Sequence, residues 1–367
     1  MARFELLVGS EAFWDRARDD IARARQRVLV QAMTFEGDRT GVAVASAIEA
    51  SAAPLRRVLV DSYSRYVVSD QFVFSPLARR DPAFRDEVRE TVDMFRRLER
   101  QGAGVVFTNP IGRFGLRFAA RNHKKLLVMD DVAYLGGINF SDHNFAWHDL
   151  MVRCEDRAIA DYLSLDFDRT FSGKALASEA AFPGIDIYSL SGAANDLLFA
   201  RLVDRIDRAS DRIDVFSPYL TFPFAEVLAR ARKRGVAVRL FTPQANNKGI
   251  VRDYLLWTAE RFSFEVLLYA RMSHLKAMLI DDRELVVGSS NFDFVSYHSQ
   301  AEYVAILSDP DAIAAFRAQV LEPDMALASA AGRADPVRGP IAFAALKIAE
   351  AATRMTGARL RAELTRS

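Results

Sequence analysis

Cysteine is almost missing: Cys154 is the only one in 367 residues. A single thiol excludes a disulfide framework and a cysteine-based zinc site, and it fits a reducing compartment. An excess of either charge is missing too, with 49 Lys+Arg against 48 Asp+Glu. No global field therefore draws the chain onto nucleic acid, and an anionic partner must be met by a local patch. Long apolar runs are absent. Val215–Ala225 goes eleven residues without a charge, well short of the roughly 20 that a membrane-spanning helix needs. Glu5 precedes any apolar stretch, so no signal peptide is expected, and the chain reads as soluble or peripheral. His and Lys are also scarce, at five and seven. Those two residue types can do acid-base and phosphate chemistry that the abundant Arg does not duplicate. What is plentiful is core: half the residues are apolar. The length suggests about two domains.

Short β-branched runs alternate with helical patterns. In the first half, strands are expected at Val28–Val30, Val58–Asp61 and Val105–Phe107, with helices at Gly41–Ala53, Pro82–Gln101 and Asp156–Phe171. Leu126–Met129 and Val132–Leu135 read as a hairpin split by Asp130-Asp131. The second half repeats the order. Its strands are Ile213–Phe216, Val236–Phe241 and Phe264–Tyr269, and its helices Phe224–Arg234 and Asp253–Phe262. Leu275–Ile280 and Leu285–Val287 form a hairpin split by Asp281-Asp282. This alternation predicts an α/β sandwich in each half, with the boundary near Gly173–Gly184. Ser62–Gln101 has no counterpart of equal length. Its Tyr63, Tyr66, Phe72 and Phe74 read either as buried aromatics of an insert or as a loop over a site or against lipid.

Aligning the scarce histidines exposes an internal repeat. His123-Lys124-Lys125 is followed by Asp130 and Gly136-Gly137-Ile138-Asn139. His274-Leu275-Lys276 is followed by Asp281 and Gly288-Ser289-Ser290-Asn291. An acid follows each, Asp149 and Glu302. On a strand, residues i and i+2 face the same way, so His-x-Lys would present an imidazole beside an ammonium. Two such units offer two imidazoles to one phosphorus, one to attack and one to protonate the leaving oxygen.

The doubled His-x-Lys-x4-Asp motif resembles the phospholipase D superfamily, and within it the bacterial cardiolipin synthases. Arg121-Asn122, Trp147-His148-Asp149, Ser217-Pro218-Tyr219 and Phe292-Asp293 support the likeness, which spans roughly Val28 to Leu307. The chain departs from the synthases in a first turn one residue shorter, in the absence of their usual N-terminal membrane helices, and in Ser62–Gln101. The resemblance implies an α/β fold of two pseudo-symmetric α-β-α sandwich halves sharing one active site at their interface. Residues 1–178 and 179–325 would be the halves, and 326–367 a C-terminal amphipathic helical tail.

It also implies a covalent phosphohistidine, with no metal and no cofactor. His123 is the expected nucleophile and His274 the general acid, then base; the near symmetry of the motifs keeps the reverse open. Lys125 and Lys276 would neutralise the non-bridging oxygens, with Asn139 and Asn291 donating to them. Asp149 and Glu302 would hold the imidazoles in the needed tautomer. Asp130 and Asp281 are expected to fix the hairpin backbone. Ser289 and Ser290, with Gly137 in the place of Ser289, either meet substrate or satisfy the turn. His143, His148 and His298 read as rim or structural. Arg113, Arg117, Arg121 and Lys124 form a basic approach to His123, either solvated or recruiting anionic lipid.

Ile341, Ala345, Ile348, Ala352 and Met355 make one helical stripe. They suit a helix packed on its own domain or one lying in a membrane interface. The expected activity is phosphatidyl transfer to an alcohol such as phosphatidylglycerol. Its rivals are hydrolysis to phosphatidic acid, a nuclease-type phosphodiesterase that the near-neutral charge disfavours, and lipid binding without turnover. The expected partners are phospholipid and the membrane surface, in a cytoplasmic protein peripheral to the inner membrane. Oligomeric state is not legible.

Overall fold

The computed structural model describes residues 2–112 and 117–364. The chain divides into two compact units, Met1–Leu176 and Ala177–Ser367. Each is built around one sheet.

The first sheet has seven strands: β1 (Arg3–Val8), β2 (Arg27–Ala32), β3 (Leu55–Asp61), β4 (Gly104–Thr108), β5 (Leu126–Met129), β6 (Val132–Gly136) and β7 (Leu150–Glu155). Their order is β1-β7-β6-β5-β2-β3-β4. Strands β2, β3 and β4 run parallel, while β5, β6 and β7 form an antiparallel meander. Val28, Leu29 and Val30 are all fully buried, which fits a strand covered on both faces. One face packs on α1 (Ser10–Arg23), α2 (Arg39–Ala50) and α3 (Pro82–Arg100) through Phe13, Ile21, Val44, Ile48, Met94 and Leu98. The other packs on α5 (Arg157–Phe171), which buries Ile159, Leu163 and Phe167. A short α4 (Asp142–Phe145) precedes β7.

The second sheet adds a strand at each edge. Its members are β8 (Ser178–Phe182), β9 (Ile185–Ser191), β10 (Arg212–Phe216), β11 (Ala237–Pro243), β12 (Glu265–Tyr269), β13 (Ala277–Ile280), β14 (Glu284–Gly288), β15 (Ala301–Leu307) and β16 (Ser329–Ala330). The order is β8-β9-β15-β14-β13-β10-β11-β12-β16. Without its two edges it repeats the first sheet strand for strand. One face packs on α6 (Asn195–Arg208), α7 (Phe224–Lys233) and α8 (Gly249–Phe262). On the other, Phe316 at the end of α10 (Pro310–Phe316) lies edge-on to Phe216. Short helices α9 (Phe294–His298) and α11 (Glu322–Leu327) complete the unit before α12 (Arg338–Leu364).

Several expectations need correction. The long insert is only Ser62–Asp81. Pro82–Arg100 is α3, the counterpart of α8, and both lead into the third parallel strand of their sheet. In α12 the predicted stripe is not the packed face. Ala342, Leu346, Thr353 and Thr356 are buried, whereas Ile341, Ile348 and Met355 are exposed. Among the described residues no helix is long and apolar enough to cross a membrane.

Candidate active site

The sheet order gathers each motif at one end of its unit. His123-Lys124-Lys125 leads into β5 rather than lying on it, and His274-Leu275-Lys276 likewise precedes β13. The hairpin returns along β6, which ends at Gly136, so Gly137 and Asn139 come back to the level of Lys125. Leu126 pairs with Leu135, and Gly137 N–H donates to Leu150 O at 3.1 Å, which brings Asp149 alongside. In the second unit Ala277 pairs with Val287, and Ser289 N–H donates to Tyr303 O at 3.0 Å beside Glu302. Each cluster thus lies at the carboxyl ends of its parallel strands, where open α/β sheets place their ligands.

Both histidines are 6% exposed, Lys125 and Lys276 still less. Lys125 Nζ donates to His123 O at 2.7 Å, and Lys276 Nζ to His274 O at 2.5 Å. Each ammonium therefore folds back on its own motif, beside the histidine. Asp149 and Glu302 are buried. Asn139 Oδ1 accepts from Thr34 N–H at 3.3 Å. Asn291 Oδ1 is buried with no hydrogen-bond partner among the described residues.

The motif aspartates are backbone staples. The Asp130 carboxylate accepts from the N–H groups of Arg25, Gln26 and Arg27 at 2.8–3.0 Å. Asp281 accepts from Ser210, Asp211 and Arg212 at 2.8–3.0 Å. Partial burial works against the charge, but the N–H donors outweigh it and hold both carboxyls below the usual range. Each sits at positive φ, 49° and 51°, an arrangement that Asp tolerates in a tight turn.

Of the two readings left open for Ser289, Ser290 and Gly137, their contacts fit the one in which they support the turn and the acid. Ser289 is fully buried; its hydroxyl donates to Glu302 Oε2, and Ser296 Oγ donates to Glu302 Oε1 at 2.8 Å. The Ser290 hydroxyl accepts from Phe292 N–H at 3.3 Å and closes the turn. A Cβ on Gly137 would lie 2.3 Å from Asp149 Oδ1. Glycine is required because the carboxylate occupies that space.

The basic approach is also corrected. Arg121 is 3% exposed, donates to Asp61 Oδ1 at 2.8 Å and binds Arg117 O. Lys124 is buried and donates to Asp166 Oδ2 at 2.7 Å. Neither faces solvent, so neither recruits lipid from the surface. Arg113 lies outside the described residues. Asp61 is a site-supporting residue that the sequence reading passed over. It also accepts from Asn122 N–H at 2.5 Å, fixing the segment just before His123. Burial pushes its carboxyl up to about 6 against the pull of Arg121. His143 lies edge-on to Trp147 and 3.7 Å from Glu36, and His298 lies 3.5 Å from Glu350; burial lowers both pKa values.

Among the described residues, one set of carboxylates converges closely enough for a metal, Glu36, Asp38 and Glu87, with oxygens within 4.8 Å of one another. Burial raises the Glu36 carboxyl to about 8. None of the three belongs to either motif. Cys154 is fully buried and its thiol is pushed up to about 12, which makes it inert.

Two related units, each with the same sheet order and the same His-x-Lys-x4-Asp cluster at the same end, are similar to the phospholipase D superfamily. The family model that matches is described as cardiolipin synthase, PLD-like domain, and it covers residues 202–322. The chain is 28% identical over 236 residues to the minor cardiolipin synthase ClsB of Bacillus subtilis, covering 58% of each protein. It is 25% identical over 345 residues to cardiolipin synthase B of Salmonella typhi, covering 84% of this chain and 76% of that one. The chain therefore spans little more than half of the Bacillus relative. In fold it is similar to phosphatidylserine synthase of Haemophilus influenzae, with a TM-score of 0.71 at 15% identity over 96% of this chain and 95% of that one.

Proposed function

We propose that this protein is a phosphatidyltransferase of the cardiolipin synthase type, in which both histidines act on one phosphodiester. The observation that carries the reading is the duplication itself. Two units place His, Lys, Asn and a buried acid at the same end of the same sheet, and the similar proteins named as synthases make cardiolipin the natural product.

His123 attacks the phosphorus of phosphatidylglycerol, and the bond to the glycerol head group breaks. His274 gives its proton to the departing alkoxide, so glycerol leaves neutral and the phosphatidyl group stays on His123. A second phosphatidylglycerol then brings its terminal hydroxyl. His274, now neutral, takes that proton; the alkoxide attacks the phosphohistidine and restores His123. Lys125 and Lys276 balance the charge that gathers on the equatorial oxygens. Asp149 and Glu302 hold the two imidazoles in the tautomers these steps need, as a triad carboxylate does.

The protein would work at a membrane surface, where both lipids reside. The test is incubation with phosphatidylglycerol vesicles, with and without added glycerol, followed by lipid mass spectrometry. Cardiolipin that decreases as glycerol rises is the expected result. Phosphatidic acid alone would make the protein a hydrolase with the same histidines. No product at all would overturn the assignment.

A further inference from the structure

The insert Ser62–Asp81 has no use in the chemistry above, yet it builds a cavity. Val68, Ala78 and Phe84 form a small core of their own, with Val73 and Val88 against it. Between this core and α3 lie two adjoining hollows of about 400 and 330 Å³ that share Val73, Val88, Val92 and Arg96. Together they make a channel in the size range of small-ligand sites.

Its walls are branched aliphatic and aromatic side chains. Its two hydroxyl groups are spent inside the protein. Ser64 Oγ donates to Met33 O, and Thr91 Oγ1 donates to Glu87 O and accepts from Gly37 N–H. A peptide laid in this channel would find few partners for its backbone groups. A hydrocarbon chain needs none. Charged side chains also line the hollows: Arg65, Arg79, Arg85, Arg89 and Arg96, with Asp93 and Glu99. Arg96 pairs with Asp93 and Arg89 with Asp86, both as exposed pairs of little strength. Arg65, Arg79 and Arg85 form no ion pair among the described residues, and Arg65 instead stacks 3.8 Å over Phe107. The same insert exposes Phe72, Phe74 and Leu77, at 57%, 68% and 75%, and Phe74 lines the second hollow. Exposed aromatics next to unpaired arginines are the composition of an element that enters a lipid interface.

We infer that this channel takes one acyl chain of an anionic phospholipid from the membrane, with its phosphate on the unpaired arginines. The inference goes beyond the proposed turnover and does not depend on it. The probes are phosphatidylglycerol and phosphatidylcholine, each bearing a diazirine at its chain end and carried in vesicles of its own head group, with the full chain irradiated and digested. Adducts should concentrate on residues 68–96 and fall at least five-fold in phosphatidylcholine. Val92→Glu, at a half-exposed position, should remove them by at least five-fold. Arg65→Gln with Arg85→Gln should erase the preference for phosphatidylglycerol; this pair keeps the test open if Val92→Glu fails to fold. The same pattern should persist in His123→Ala, where turnover is lost, so channel binding and catalysis are read apart. Adducts outside residues 68–96, equal labelling from both vesicles, or protection only by dissolved palmitate would overturn the inference.

Discussion

The two units carry the same motif and support it differently. Between His and Lys the first motif has Lys124, buried against Asp166, and the second has Leu275, fully buried. One position is satisfied by an ion pair in the first unit and by plain packing in the second. At the acid, the first unit pairs a short carboxylate, Asp149, with a glycine that leaves it room. The second pairs the longer Glu302 with Ser289 and Ser296, which hold it by hydrogen bonds. The motif aspartates, by contrast, make the same three-donor staple in both. The comparison teaches that the motif His, Lys and Asn and the hairpin staple are the same in both halves, while their neighbours are exchanged in compensating sets.

Four sets of substitutions test this. The largest effect is expected at the histidines, where His123→Ala and His274→Ala should each lower turnover by about 10⁴-fold. Retained activity in either would break the symmetry of the account. Next, Lys124→Leu copies the second motif but strands Asp166, and should cost about 3–5 kcal/mol in urea unfolding. Lys124→Leu with Asp166→Leu should restore most of that, because a buried pair is often replaceable by packing. If the single change is harmless, the ion pair is not what holds this position.

Gly137→Ser, which copies Ser289 into the first unit, should displace the Asp149 carboxylate and reduce kcat by about 10²-fold with KM little changed. Adding Asp149→Glu should recover part of the loss if the two positions compensate as a set. The smallest effect belongs to the staples. Asp130→Asn and Asp281→Asn should each lower Tm by about 2–4 °C at neutral pH. Their folded carboxyls lie below the ordinary value near about 3.9. The stabilisation is therefore complete above that value and is lost as pH falls through the lower, folded one. The Tm gap between wild type and variant should close in that acid range.

Much of this was legible in the sequence because repeated residues report on repeated geometry. The hairpins around Asp130 and Asp281, the parallel strands and the motif tails all follow from runs and spacing. Strands β1, β7, β9 and β15 and helices α1 and α6 were not read. Helix α1 buries Phe13, Ala17 and Ile21 at i, i+4 and i+8, a stripe thin among its charges. Strand β15 is buried at every position, so it shows no alternation. The supports were the least legible. Asp61 meets Arg121 across sixty residues, and Asp166 meets Lys124 across forty-two. Only folding brings such pairs together. One signal was available: the alignment of Lys124 with Leu275 marks a position that faces the core, not the solvent.

The central claim, that one histidine carries the phosphatidyl group while the other moves protons, is tested most directly by trapping. His274→Ala and His123→Ala are each incubated with phosphatidylglycerol vesicles, quenched in alkali to preserve phosphohistidine, and mapped by peptide mass spectrometry. The account predicts a phosphatidyl adduct on His123 in His274→Ala and no adduct in His123→Ala. An adduct on His274 in His123→Ala, with none on His123 in His274→Ala, would reverse the roles. A protein that turns over lipid with neither histidine ever modified would contradict the account.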